Sequence, residues 1–295
     1  MFDSPYRRVA VAIDGSPASD AAIRLAFTVV CAGGEVAFLH ATDRAATIAH
    51  YVAPWKSDIG ALESMELFER GLFESACKRA RALGFASSGH AIEGFTGQAI
   101  VNYVRSSGVD AVILGASGDQ GIARTKLPST AEDVLRAAGV PTFIVPSPRF
   151  SNKEQLIGRI MVAIDDSEPS ARAIERAITL AQWTGAEIQF ANVQECDFAR
   201  RASDRAISTA ACEQAARAGV KADAVIVHGS TAEALIAAAE LWGADLIVVG
   251  THGRIGRARL RYGSVAEAVV RSATCPVMVV PGGVPAARQE IAASA

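Results

Sequence analysis

The amino-acid sequence predicts an α/β protein made of two tandem, doubly wound parallel-sheet domains. Three observations lead there: the chain repeats itself once, its apolar runs are short and nearly continuous, and helix-periodic stretches alternate with them. "RRVAVAIDGSPASDAAIRLAF" at 7–27 returns as "GRIMVAIDDSEPSARAIERAI" at 158–178, so that Asp14 corresponds to Asp165, 151 positions on. "DAVILGASG" at 110–118 returns as "ADLIVVGTHG" at 244–253, and "PTFIVPS" at 141–147 as "PVMVVPG" at 276–282, both 135 positions on. The second copy is therefore 16 residues shorter, and the extra piece of the first is placed around Arg44–Gly60, "RAATIAHYVAPWKSDIG". So long a period marks a duplicated domain rather than a solenoid. The expected domains are 1–148 and 157–284, with the polar "SPRFSNKEQLIG" at 147–158 as linker.

The elements follow in order. Each copy opens on an apolar run, "VAVAID" or "IMVAID", that ends at an aspartate. Ser16-Pro17 and Ser167 with Pro169 then mark helix starts, a capping hydroxyl followed by proline in the first turn. Ile174, Ala177, Ile178 and Ala181 fall at i, i+3, i+4 and i+7, one helix face, and Ile23, Ala26, Phe27 and Val30 keep that spacing in the first copy. The remaining strand candidates of the second copy are "EIQFANVQ", "ADAVIVHG", "ADLIVVG" and "PVMVVP". Rich in Val, Ile and Ala and scarcely alternating, they read as parallel strands covered on both faces. Five strands alternating with four helices per copy give a doubly wound sheet. Ligands of such sheets sit at the carboxyl ends of the strands, near the switch point.

Bulk properties exclude several classes. Of 295 residues, half are apolar and the formal net charge is −2, so no general electrostatic attraction to nucleic acid or anionic membrane exists. The five cysteines are scattered, with no CxxC pair or zinc spacing, as for buried thiols in a reducing compartment. "MFDSPYRRVAVAID" lacks the apolar core of a signal peptide, and no apolar run reaches about 18 residues. The expectation is a soluble cytoplasmic protein.

The chemistry-bearing stretch is "GTHGRIGRARLRYGSV", Gly250–Val265, which leaves the fourth strand of the second copy. Its glycines admit a ligand close to the backbone. Gly263 and Ser264 open a helix whose first amides are free to receive an anion, with Ser264 placed to cap the helix or to bond a phosphate oxygen. Two glycine turns bracketing a basic segment form a candidate triphosphate cradle. Asp165 is the matching candidate for a ribose hydroxyl or a magnesium ion.

The spacing Gly-x2-Gly-x9-Gly-Ser, at Gly250, Gly253, Gly263 and Ser264, together with "VAIDGS", "VAIDDS" and "PVMVVP", resembles the ATP-binding signature of the universal stress protein family over nearly the whole chain. The resemblance implies Rossmann-like sheets ordered 3-2-1-4-5, bound ATP or a related adenine nucleotide with Mg, and pairing of domains through the last strand. A tandem chain satisfies that pairing internally as a pseudo-dimer, and pairing of two chains as a homodimer stays open. Carried onto this sequence, Ala163, Ile164 and Asp165 would line the adenosine and Val193 the base. Val249 and Gly250 would flank the ribose, and Gly253, Arg254, Gly263, Ser264 and Val265 would receive the phosphates. A weaker second site would comprise Ala12, Ile13, Asp14, Ala41, Leu114, Gly115, Gly118, Ser129 and Thr130. There the third glycine is Pro128, which has no amide hydrogen, and Ala41 replaces the valine. Binding is therefore expected chiefly in the second copy.

Other readings weigh less. The Asp165-Asp166 pair suggests a phosphoacceptor receiver, but no aspartate ends the third strand and no lysine the fifth. "DGSPAS" lacks the GxGxxG of dinucleotide folds. His252 has no nucleophile partner, and Arg257, Arg259 and Arg261 suit a solvated face as well as phosphate. A nucleotide-binding stress-response regulator leads. A slow ATPase or autokinase using Ser264 or Thr251, and a ligand-free interaction scaffold, are the alternatives.

Overall fold

Strands and helices alternate in the order the repeat predicts. The structure, a computed structural model, describes residues 5–42, 59–116, 129–146, 157–194, 201–251 and 263–282. The insertion expected at 44–60 falls almost wholly outside them, as do Pro128 and the basic segment 252–262.

The first copy runs β1 (Tyr6–Ala12), α1 (Pro17–Val29), β2 (Val30–Thr42), α2 (Ile59–Ala82), β3 (Ala86–Glu93), α3 (Thr96–Ser107), β4 (Ala111–Ala116), α4 (Ser129–Ala137) and β5 (Thr142–Pro146). The second runs β6 (Arg159–Ala163), α5 (Glu168–Thr184), β7 (Glu187–Gln194), α6 (Arg201–Arg217), β8 (Ala222–His228), α7 (Thr231–Trp242), β9 (Leu246–Gly250), α8 (Ser264–Ser272) and β10 (Val277–Val280). Caps lie where the serines and prolines put them. Ser16 Oγ accepts the Ser19 amide and Ser167 Oγ the Ser170 amide. One boundary differs from the helical spacing. Val30 is extended and pairs with Tyr6 across an irregularity in the β1–β2 ladder, so α1 ends at Val29 and Val30 serves the sheet.

The strands form one sheet ordered β3-β2-β1-β4-β5-β10-β9-β6-β7-β8. Each half is parallel and reads 3-2-1-4-5 in its own numbering. The halves join antiparallel, with Val277 opposite Ile144, Met278 opposite Phe143 and Val279 opposite Thr142. Because each half is parallel and the junction antiparallel, the carboxyl ends of the two sets of strands point to opposite edges of the sheet.

Two apolar layers hold the helices. On one face, α1, α2, α5 and α6 bury Leu25, Ala80, Ala177 and Ala215 against Val11, Phe38, Val162 and Phe190. On the other, α3, α4, α7 and α8 bury Ile100, Val134, Leu235 and Val269 against Leu39, Val112, Ile247 and Val279. Each fully buried Val, Leu, Ile or Phe among these contributes about 1.5–3 kcal/mol. The outer strands are exceptions to two-sided cover: Ala86, Gly89, Ala91 and Glu93 of β3 and Asp223, Ala224 and His228 of β8 are exposed. Burial pushes the Cys275 thiol up to about 12, as befits a packing residue. Among the described residues, no helix is long and apolar enough to cross a membrane.

Tyr6 stands at the junction of the halves. It is fully buried, meets the Phe143 ring edge-on at 5.7 Å, and its hydroxyl donates to Met278 Sδ at 3.3 Å. Burial drives its phenol well above the ordinary range, although Arg176 opposes this. A second tie is Trp183, whose indole N–H donates to the Thr28 carbonyl at 3.0 Å, linking α5 to the end of α1. Tyr6→Ala is expected to cost about 3–5 kcal/mol, as for other buried aromatics. Tyr6→Phe, which loses only the hydroxyl, should cost about 1 kcal/mol. Urea denaturation midpoints measure both.

Candidate functional site

A cavity of about 590 Å³ opens at the carboxyl ends of β6, β7 and β9. This is the switch point of the second half, with α5 leaving β6 toward one face and α8 following β9 on the other. Ala163, Ile164 and Asp165 reach it from the end of β6, Val193 from β7, Val249 and Gly250 from β9, and Val265 from α8. One strand-end geometry thus brings together seven of the positions singled out from sequence. Gly263 and Ser264 lie just before Val265. Gly253 and Arg254 are outside the described residues.

The turn after β6 is built by its own polar groups. Ile164 N donates to the Ala191 carbonyl, extending the β6–β7 ladder past the strand. Asp165 Oδ1 accepts the Ser167 amide at 3.0 Å and the Ser167 hydroxyl at 2.5 Å, and the Asp165 amide donates to Ser170 Oγ at 2.9 Å. The carboxylate is thereby fixed at the cavity wall. Among the described residues no three His, Cys, Asp or Glu side chains converge as a metal site. A divalent ion here would take one carboxylate plus ligand oxygens, the usual arrangement for magnesium.

Gly250 has a structural reason beyond ligand access. A Cβ there would lie 2.6 Å from both the carbonyl carbon and the oxygen of Pro169. The first turn of α5 packs directly on the strand end, and only glycine permits it. Gly115 is the same, since its Cβ would lie 2.6 Å from the Ala18 carbonyl carbon in α1. At the head of α8, Gly263 is the N-cap, and among the described residues no side chain caps the first amides. Ser264 is therefore the first helical residue rather than the cap, and the expected capping role does not fall to it. The first amides of an α-helix have no intrahelical partners.

Sequence reasoning missed the polar wall opposite Val193. Asn192 and Gln194 flank it on β7, point to the α6 side and are almost fully buried. Gln194 Nε2 donates to Asp204 Oδ2 at 2.8 Å and Asn192 Nδ2 to Asp204 Oδ1 at 3.5 Å. Their signal was two amides closing an otherwise apolar strand, "FANVQ", since buried amides need partners. Asp166, Ser167, Ser170, Ile207 and Thr231 also line the cavity.

In the first half, Ala12 ends β1, Ile13 and Asp14 follow it directly, and Ala41 lies near the end of β2. Leu114 and Gly115 lie in β4, and Ser129 and Thr130 open α4. Gly118 is outside the described residues. His40 occupies the position of Asn192, and its Nδ1–H donates to the Ile13 carbonyl at 2.7 Å. Burial pushes the Asp14 carboxyl up. The bonds it accepts from Ser16 and Ser19, with His40 nearby, outweigh this and hold it below the ordinary value.

Two tandem five-stranded parallel units with a ligand-sized crevice at a switch point define a duplicated doubly wound α/β protein. Residues 5–146 and 157–281 match the model of the universal stress protein family, and the chain belongs to that family. A universal stress protein of Mycobacterium bovis is 30% identical over 230 residues, 67% of this chain and 68% of that one. A universal stress protein from Archaeoglobus fulgidus has a crystal structure that superposes with a TM-score of 0.72 at 22% identity, covering 96% of this chain and all of that one; the fold is shared across both halves. A universal stress protein solved in complex with cAMP is 30% identical over 43% of this chain and 98% of its own, with a TM-score of 0.37.

Gly250→Ala should destabilise by about 1–3 kcal/mol, because Pro169 backbone must move to admit the methyl; denaturant titration reads it. Asp14, whose pKa is lowered on folding, contributes stability that is complete above the unfolded carboxylate pKa of about 4. That contribution is lost as pH falls through the lower folded value. Asp14→Asn should therefore flatten the acid limb of stability against pH, with the difference from wild type vanishing at the acid end.

Proposed function

We propose that this protein is a cytoplasmic stress-response regulator that binds an adenine nucleotide, ATP with magnesium, chiefly in the second of its domains at 1–148 and 157–284. The observation that carries the reading is the cavity of about 590 Å³ placed between the carboxyl ends of β6, β7 and β9 and the uncapped head of α8. Pockets for small ligands span about 300–1,000 Å³, and a helix start with free amides favours phosphate.

The chain's own residues divide the work. Ile164 and Val193 present apolar walls to the nucleoside. Asp165, locked by Ser167, accepts from ribose hydroxyls or holds the magnesium that accompanies the phosphates. The amides after Gly263 receive phosphate oxygens, and Gly253, Arg254 and Ser264 complete that side. Occupancy alters partner contacts to the extent that the nucleotide prefers one arrangement of the domains. The pairing of β5 with β10 already satisfies within one chain the edge through which two single domains would associate.

Protein purified without added ligand and then denatured should release adenine nucleotide, detected by mass spectrometry. Calorimetry with ATP and magnesium should show binding. Gly263→Pro, which copies Pro128, should weaken binding about tenfold or more, the loss of one hydrogen bond to a charged group being worth about 1.5–3 kcal/mol. No released nucleotide and no heat on titration would end this reading.

A further inference from the structure

The two crevices can be matched position by position. Ala12 pairs with Leu39 as Ala163 pairs with Ala191, so His40 stands where Asn192 stands. The amide of Phe85 bonds the Ala80 carbonyl as that of Val220 bonds Ala215, which sets α2 against α6 at an offset of 135. Cys77 then falls on Cys212, Leu72 on Ile207, Glu69 on Asp204 and Phe68 on Ser203. Gly15 follows Asp14 as Asp166 follows Asp165.

In the second half Asp166, Asn192, Asp204 and Ile207 wall the open cavity. In the first half the matching positions close on one another. A Cβ at Gly15 would lie 3.4 Å from Phe68 Cζ and 3.8 Å from Leu72 Cδ1. The Phe68 ring meets His40 edge-on, with centroids 6.0 Å apart at 66°. His40 is pinned in turn to the Ile13 carbonyl. Two rings therefore bridge the ends of β1 and β2, the ground that a nucleoside would take. Phe68 remains 52% exposed, so it is a cover over the crevice rather than part of the core beneath.

We propose that the first domain holds a latent adenine-nucleoside site, kept shut by the Phe68–His40 pair. The chain accordingly carries one nucleoside although it has two crevices. The inference rests on the reading that the second crevice takes adenine nucleotide. Blocking by Phe68 acts on the nucleoside half of the site, whereas Pro128 acts on phosphate. Adenosine is therefore the probe that separates the two.

Equilibrium dialysis of adenosine against the full-length chain should give one site in the wild type and two in Phe68→Ala. The double variant Phe68→Ser with His40→Asn, which copies the second half, should also give two. Leu67→Ala, truncating the exposed neighbour, should stay at one. Two sites in the wild type, or one in both Phe68 variants, overturns the proposal. A loss of adenosine from a two-site wild type on Phe68→Ala would instead make the ring a stacking surface. If the wild type binds none, the reading of the second crevice falls, and the latent site stands only if Phe68→Ala then binds one.

Discussion

The antiparallel seam between β5 and β10 is the contact on which the rest depends. Each half is a five-stranded parallel sheet whose last strand would otherwise present an open, apolar edge, a template for unwanted pairing. Joining Ile144 to Val277 and Phe143 to Met278 removes both edges at once. It also makes each apolar layer continuous, so that α1 and α5 share one face and α4 and α8 the other. Tyr6 and Trp183 tie the halves on the α1–α5 side. With the seam antiparallel, the crevices open at opposite edges of the sheet. Communication between them has to pass through packed elements. The helix α5 is one such element, with Ser170 at the cavity and Trp183 on α1.

A second constraint shapes the crevice itself. Gly115 and Gly250 let the first turn of α1 or α5 rest on the end of the fourth strand, with no room for a methyl group. That contact sets how far the β1–α1 or β6–α5 turn stands from the neighbouring strand end. Ser167 then holds the Asp165 carboxylate and Ser170 Oγ accepts the Asp165 amide, fixing the residue against the same turn. The glycine that begins the motif thus serves the fold first, and serves a ligand through the shape it leaves.

Much of this was legible in the chain. Residues such as Ser16, Pro17, Ser167 and Pro169 fixed helix starts because capping and proline geometry are local. The continuous runs at 160–164 and 246–249 fixed buried parallel strands because two-sided burial writes itself into every residue. The cavity wall was legible where it lay on strand ends, at Asp165, Val193 and Gly250. What stayed hidden was tertiary. Nothing near Asp204 in sequence points to Asn192 and Gln194, which meet it only because α6 packs over β7. The same holds for Phe68, which lies in a helix of unremarkable composition and becomes meaningful only against Gly15. The reason for Gly250 was also hidden, since a ligand and a helix backbone make the same demand for a missing side chain.

The internal comparison separates what the fold requires from what the site requires. Both halves keep the strand-end glycine, the aspartate after the first strand and the serine that caps the next helix. These positions carry packing and turn geometry in both halves. The halves part company at Gly15 and Asp166, His40 and Asn192, Phe68 and Ser203, and Pro128 and Gly263. The β5–β10 seam, formed by Thr142, Phe143 and Ile144 with Val277, Met278 and Val279, uses none of these positions. A duplicated domain joined at its last strand can therefore vary its crevices without disturbing the seam. The first half contributes β5 to the seam, and the second contributes β10 and the cavity at the ends of β6, β7 and β9.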